Sequence, residues 1–187
     1  MAKVRAALAS TNPHKARELE RALRGWQIAP LAADYPPETG ATFEENALAK
    51  ARFGRSRAPA DAWALGEDSG IEVAALDGAP GVRSARWAAG DEVGRMLAAM
   101  AGVTDRRARY VCALAAIAPD GRELVVRGTF AGRIADEASG SGGFGYDPVF
   151  VADGETETVA ALGDAWKAER SHRARAAKSL LEAVDSA

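Results

Sequence analysis

The sequence predicts an α/β fold built around a mixed β-sheet with flanking helices, and three observations carry that expectation. Short apolar, strand-like runs recur along the 187 residues. Helical apolar stripes separate them in the first half, an alternation that makes neighbouring strands parallel. Later, Pro119-Asp120-Gly121 joins two strand-like segments with hairpin chemistry, which adds an antiparallel pair.

Taken in order, residues 4–9 form a buried strand that runs into Ser10-Thr11-Asn12-Pro13, a helix start with Asn12 as N-cap and Pro13 at the first helical position. Ala16, Leu19, Leu23 and Trp26 continue the helix as an apolar stripe, with Gly25 as its stop. Residues 28–31 give a second strand, and residues 34–41, rich in proline, a loop. Thr42 and Glu45 have the spacing of a capping box and open a helix whose stripe runs through Ala47, Leu48 and Ala51 until residues 54–60 break it. Residues 62–65 predict a strand that stops at Gly66-Glu67-Asp68-Ser69-Gly70, and extension resumes over 71–75. A turn over 77–81, a helix over 91–101 and strands over 109–118 and 123–130 follow. A glycine-rich loop over 140–145, a short strand over 149–151 and a helix with Ala177, Leu180, Leu181 and Val184 on one face complete the chain.

Apolar residues make up 48% of the chain, enough for a packed core in one domain or in two lobes that share a sheet. With 24 basic against 26 acidic side chains the net charge is −2, which gives no global field for nucleic acid or an anionic membrane. An anionic ligand must be met by a few local cations. The lone Cys112 excludes an intrachain disulfide and sits in an apolar run, as a small buried hydrophobe does. With no leader-like pattern at its start and no apolar stretch of spanning length, the chain is expected to be soluble and cytoplasmic.

Five places carry candidate chemistry. Lys15 stands at about the third helical position, where a cation opposes the helix dipole unless an anion joins Asn12 and the free backbone N–H groups there; a solvated lysine is the plain alternative. Glu67 and Asp68 at a strand end suit a hard cation, and strand alternation sends them to opposite faces, but Asp-Ser-Gly is also ordinary turn chemistry. Glu45 is fully explained as a cap that accepts from the Thr42 N–H, although Glu44 makes this helix start more acidic than a cap requires. Gly140, Gly142 and Gly145 match the dinucleotide pattern formally, yet Pro148 follows where a helix is needed, so that reading is excluded. Phe144 and Tyr146 beside Asp147 can instead stack on a base and accept from its ring N–H, or plug the loop onto the core. Finally, Ser171 suits an N-cap, and Lys167, His172 and Arg173 place cations around that helix start, facing either an anion, a base edge or solvent. No P-loop, H-E-x-x-H or nucleophile-elbow motif is present.

Together these segments resemble the inosine triphosphate pyrophosphatase family. The likeness is carried by LASTNPHKARELE (8–20), TFEENALAKAR (42–52), GEDSGIEVAALDGAPGVRSARW (66–87), GGFGYDPVF (142–150) and SHRARA (171–176), in family order over nearly the whole chain. The resemblance implies an elongated, two-lobed pyrophosphatase domain over residues 1–187 with its active site in a cleft between lobes, Mg²⁺ as cofactor and a homodimer. It implies hydrolysis of ITP, dITP and XTP to the monophosphate and pyrophosphate, with Ser10, Thr11, Asn12, Pro13, His14 and Lys15 around the triphosphate. Asp68 becomes the catalytic and metal-binding acid with Glu45 and Glu67 as metal partners. Ser69, Phe144, Gly145, Tyr146, Asp147, Lys167, His172 and Arg173 would enclose the nucleotide, the last two at the 6-oxo purine edge. Two other readings stand beside this one: a silent nucleotide sensor, which has no need of the carboxylates, and a pyrophosphatase for modified pyrimidine nucleotides.

Overall fold

The computed structural model describes residues 3–88 and 90–186. Six strands, β1 (Val4–Ala9), β2 (Trp26–Pro30), β3 (Trp63–Val73), β4 (Arg107–Ile117), β5 (Glu123–Ile134) and β6 (Phe150–Ala152), form one sheet in the order β2-β1-β3-β4-β5-β6. β1 runs parallel to β2 and β3, with Leu8 opposite Pro30 and Leu65, whereas β5 and β6 are antiparallel. The sheet is therefore mixed, as the sequence predicts. Helices α1 (Pro13–Ala22), α2 (Phe43–Arg55), α3 (Ser84–Ala88), α4 (Glu92–Ala99), α5 (Val159–Arg170) and α6 (His172–Asp185) accompany it.

The chain divides into two compact units. The first comprises the chain up to Asp68, Cys112–Gly128 and the chain from Arg173; the second comprises Ser69–Val111 and Thr129–His172. Leu8, Leu19, Leu23, Leu65, Leu114 and Leu180 are fully buried in the core of the first unit. The second is packed around Ile71, Met96, Met100, Ile134, Val149 and Phe150. Each fully buried large aliphatic contributes about 1.5–3 kcal/mol by leaving water, so either core is a substantial driving force.

Three expectations need correction. Trp26 does not extend the α1 stripe: the helix ends at Ala22, the chain turns at Gly25 with φ 86°, and Trp26 opens β2. There its indole meets Trp63 at 5.4 Å between ring centroids. β3 does not stop at Gly66 but runs unbroken to Val73. The glycine serves close approach: a Cβ there would lie 2.1 Å from the Ala47 carbonyl oxygen and 2.4 Å from the Ala51 nitrogen, so only glycine lets α2 settle on the strand. Lastly, α5 and the short α3 are helices that the apolar pattern does not announce; α5 is interrupted at Gly163, whose φ of 80° is not helical.

Candidate active site

Each unit gathers its own cluster of charged and aromatic groups. In the first unit the start of α1 is built as its sequence predicts. Asn12 Oδ1 accepts from the His14 and Lys15 N–H groups at 2.9 and 3.4 Å, Ser10 Oγ accepts from the Asn12 N–H at 3.1 Å, and Pro13 begins the helix. Thr11 and His14 are exposed, and His14 Nδ1 lies 3.1 Å from an Arg17 guanidinium nitrogen. Lys15 is partly buried, and its ammonium stands 2.7 Å from Glu67 Oε2 as an ion pair.

Strand alternation gives the two adjacent acids of β3 separate surroundings. Glu67 is buried among cations: Arg173 donates to its Oε1 from Nη2 at 2.9 Å and from Nε at 3.3 Å, and the Cys112 thiol donates to the same oxygen at 3.4 Å. Arg173 also donates to Glu18, one turn along α1 from Lys15. Burial by itself would raise the Glu67 pKa, but Lys15 and Arg173 overcome it and hold the carboxyl well below the usual range. Burial pushes the Cys112 thiol well up, and the neighbouring Glu67 charge adds to that.

Asp68 faces α2. Asn46 Nδ2 donates to its Oδ2 at 3.0 Å, and the Lys50 ammonium donates to its Oδ1 at 3.2 Å. The same ammonium lies 2.5 Å from Glu38 Oε1 and donates to the Glu67 carbonyl at 3.0 Å. Burial raises the Asp68 pKa, and Lys50 and Asn46 offset only part of that. Burial would lower the Lys50 pKa, yet Asp68 and Glu38 leave it raised.

Two carboxylates and a carbonyl thus converge on one positive charge, the donor chemistry that a hard divalent cation requires. Among the described residues no group of three or more His, Cys, Asp or Glu side chains is gathered for a metal. Glu45, expected beside Glu67 and Asp68, is engaged elsewhere. Thr42 Oγ1 accepts from the Glu45 N–H as a cap should, but the Glu45 carboxylate accepts from the Ala41 N–H at 2.7 Å and not from that of Thr42. Glu44 pairs with Arg127 at 2.8 Å. The residues that the sequence did not single out are Glu38, Asn46 and Lys50. Asn46 and Lys50 sit four apart beside the apolar stripe of α2, a spacing that puts both on one face; Glu38 lies in a loop, where no period marks it.

In the second unit the hub is Asp147, buried and accepting three donors: the Tyr110 hydroxyl at 3.1 Å, the Phe144 N–H at 2.8 Å and the Lys167 ammonium at 2.7 Å. Gly143, at φ 72°, makes room for it, since a Cβ there would fall 2.1 Å from the Asp147 carboxylate. The Lys167 ammonium also sits 4.6 Å above the Phe144 ring. Tyr146 is buried, donates to the Ser84 carbonyl at 2.7 Å, and has its phenol pKa pushed by burial up to about 12. His172 is buried and stacked on Tyr110, 4.7 Å between centroids. Ser69, Phe144 and Gly145 are half-buried, and Ser171 is extended between α5 and α6, as an N-cap is. Phe144, Tyr146, Asp147, Lys167 and His172 thus belong to one unit, and Arg173 to the other.

The family model for the Ham1 family matches residues 6–183. A dITP/XTP pyrophosphatase of Symbiobacterium thermophilum is 48% identical over 192 residues, covering 97% of this chain and 95% of its own. One of Nocardia farcinica is 46% identical over 200 residues, covering 98% and 96%. Among solved structures, the Staphylococcus aureus Ham1 protein superposes with a TM-score of 0.84 at 34% identity, over 97% of this chain and 98% of that one. A nucleoside-triphosphatase / dITP/XTP pyrophosphatase from Mycobacterium abscessus gives 0.73 at 39% identity, over 97% and 100%.

Proposed function

The chain belongs to the Ham1 family, and from that membership we propose that it hydrolyses inosine- and xanthosine-type nucleoside triphosphates between the α- and β-phosphates, in the presence of Mg²⁺. Relatives bearing the dITP/XTP pyrophosphatase name match it over nearly their full length. The observation that carries the reading is the convergence of Glu38, Asp68 and the Glu67 carbonyl on a single cation, with Lys15 at the opposite flank of Glu67.

In the proposed mechanism Glu38 and Asp68 would hold the metal, whose positive charge would offset the negative charge of the phosphates. Lys15 grips the triphosphate; Glu67 keeps that ammonium in place and, with Arg173, belongs to the clamp and not to the metal. Lys50 exchanges its carboxylate partners for phosphate oxygens as the substrate arrives. Asp68 takes a proton from the attacking water while the new O–P bond forms at the α-phosphorus and the bond to the bridging oxygen breaks. Pyrophosphate leaves with the electron pair, its charge met by Lys15. Phe144, Tyr146 and Asp147 with Lys167 and His172 form the base-recognising side. The proposal includes a homodimer, which light scattering on the purified protein tests.

The decisive assay measures pyrophosphate release from ITP, XTP, dITP, ATP and dTTP, each with and without Mg²⁺. Release from the first three, dependent on the metal and well above that from ATP and dTTP, is expected. Orthophosphate in place of pyrophosphate, or equal rates on ATP, defeats the reading; binding of ITP without turnover makes the protein a sensor.

A further inference from the structure

One buried amide joins the loop that carries Glu38 to the carboxylate of Asp68. Asn46 lies in the first half of α2 and is 2% exposed. Its Nδ2 donates to Asp68 Oδ2 at 3.0 Å, and its Oδ1 accepts from the Gly40 N–H at 2.8 Å. Asparagine is a poor residue for a helix interior and expensive to bury, so full use of both ends of the amide is what makes the position tenable. The partners also fix its orientation, because only the carbonyl end can meet an N–H and only the amino end a carboxylate. Gly40 fits tightly: a Cβ there would fall 2.5 Å from Asn46 Oδ1.

We infer that Asn46 is a positioning residue for the proposed hydrolysis, selecting which oxygen of Asp68 faces the cation position and holding the 34–41 loop so that Glu38 faces the same point. A carboxylate has two oxygens and can rotate. Asn46 engages Oδ2, which leaves Oδ1 toward the charge that Glu38 also meets. Glu38 lies two residues before Gly40, so the tether at Gly40 limits how far the Glu38 carboxylate can wander. Neither arm touches the substrate. Asn46 acts through the two acids, and the inference rests on the reaction proposed above.

Two variants separate the arms. Asn46→Leu removes both hydrogen bonds without adding charge. Asn46→Asp keeps an acceptor for the Gly40 N–H but loses the donor to Asp68. Hydrogen exchange of the 34–41 segment, read by mass spectrometry on the substrate-free protein, should speed up by roughly tenfold or more in Asn46→Leu and stay near wild type in Asn46→Asp. In both variants kcat for ITP should fall roughly ten- to a hundredfold, with KM within about threefold of wild type, because misplacement by about an ångström costs rate more than binding. Unchanged exchange in Asn46→Leu overturns the tether, and a wild-type kcat in either folded variant overturns the control of Asp68. If Asn46→Leu fails to fold, the near-isosteric Asn46→Asp decides the kinetic arm. A wild-type protein with no pyrophosphate release would sink the proposed function, while the exchange comparison would still judge the tether.

Discussion

Glu67 and Asp68 are neighbours in the chain with opposite electrostatic fates. Glu67 is held well below its ordinary value of 4.5, so its ionised form stabilises the folded state above that pH, and the contribution fades as pH falls through the depressed value. In metal-free protein Glu67→Gln is expected to lose about 3–5 kcal/mol at neutral pH, because it strands buried cations, and to flatten the acid side of the stability curve. Urea midpoints measured from pH 7 down to pH 3 check this; a mutant with the wild-type acid slope contradicts it. Asp68 is raised above 3.8, so the charge it carries at neutral pH opposes folding, and stability is fullest below that value and lost as pH rises through the folded pKa. Asp68→Asn should therefore keep or raise Tm while turnover falls by more than roughly a hundredfold, a stability–activity exchange that calorimetry and a pyrophosphate assay together reveal. The separate surroundings of these acids were legible from strand alternation alone. Glu38 was not, since nothing periodic marks a loop residue, and neither was the hub at Asp147. Its donors come from Tyr110, Phe144 and Lys167, and only the folded chain brings Tyr110 and Lys167 to it.

At the level of elements, what a glycine means depended on its neighbours in space. Asn12 and Pro13 announced α1 correctly because a cap is a local device. Gly66 was misread as a stop because its function, admitting α2 against β3, is not local. Gly66→Ala should push α2 off the strand and destabilise by about 1–3 kcal/mol, the usual range for overpacking. It should also reduce kcat, since α2 carries Asn46 and Lys50 to Asp68. A urea midpoint and kcat both at wild-type values would show that the strand and helix do not need this approach. Trp26 shows the complementary failure: helical spacing continued past Gly25 by coincidence, and the backbone turn overrode it.

Over the whole molecule the two clusters invite different substrate responses. Lys15, Lys50 and Arg173 pair with acids in the first unit, while in the second Tyr110, Phe144 and Lys167 meet Asp147 and His172 stacks on Tyr110. Lys15→Ala should lower kcat/KM for ITP, XTP and ATP in similar proportion, because all three present the same anion. His172→Ala should lower ITP and XTP more than ATP, by roughly ten- to a hundredfold in ratio if it supports base recognition. A uniform loss in His172→Ala removes the second cluster from base selection. The fold class and the order of most elements were open to sequence reasoning; the assignment of the two clusters to separate compact units was not, because the boundary between units falls inside two of the motifs, at Asp68 and Ser69 and again at His172 and Arg173.

The buried thiol of Cys112 turns this charge network into its own clock. It is the chain's one cysteine, fully enclosed and donating to Glu67, and its raised pKa keeps it in the unreactive protonated form. Labelling by DTNB can then proceed only through molecules whose first core has opened, so the labelling rate counts that rare population without any introduced probe. A ligand that binds the closed form and engages Lys15 should slow the reaction in proportion to its occupancy, giving a binding isotherm from a single sulfur atom.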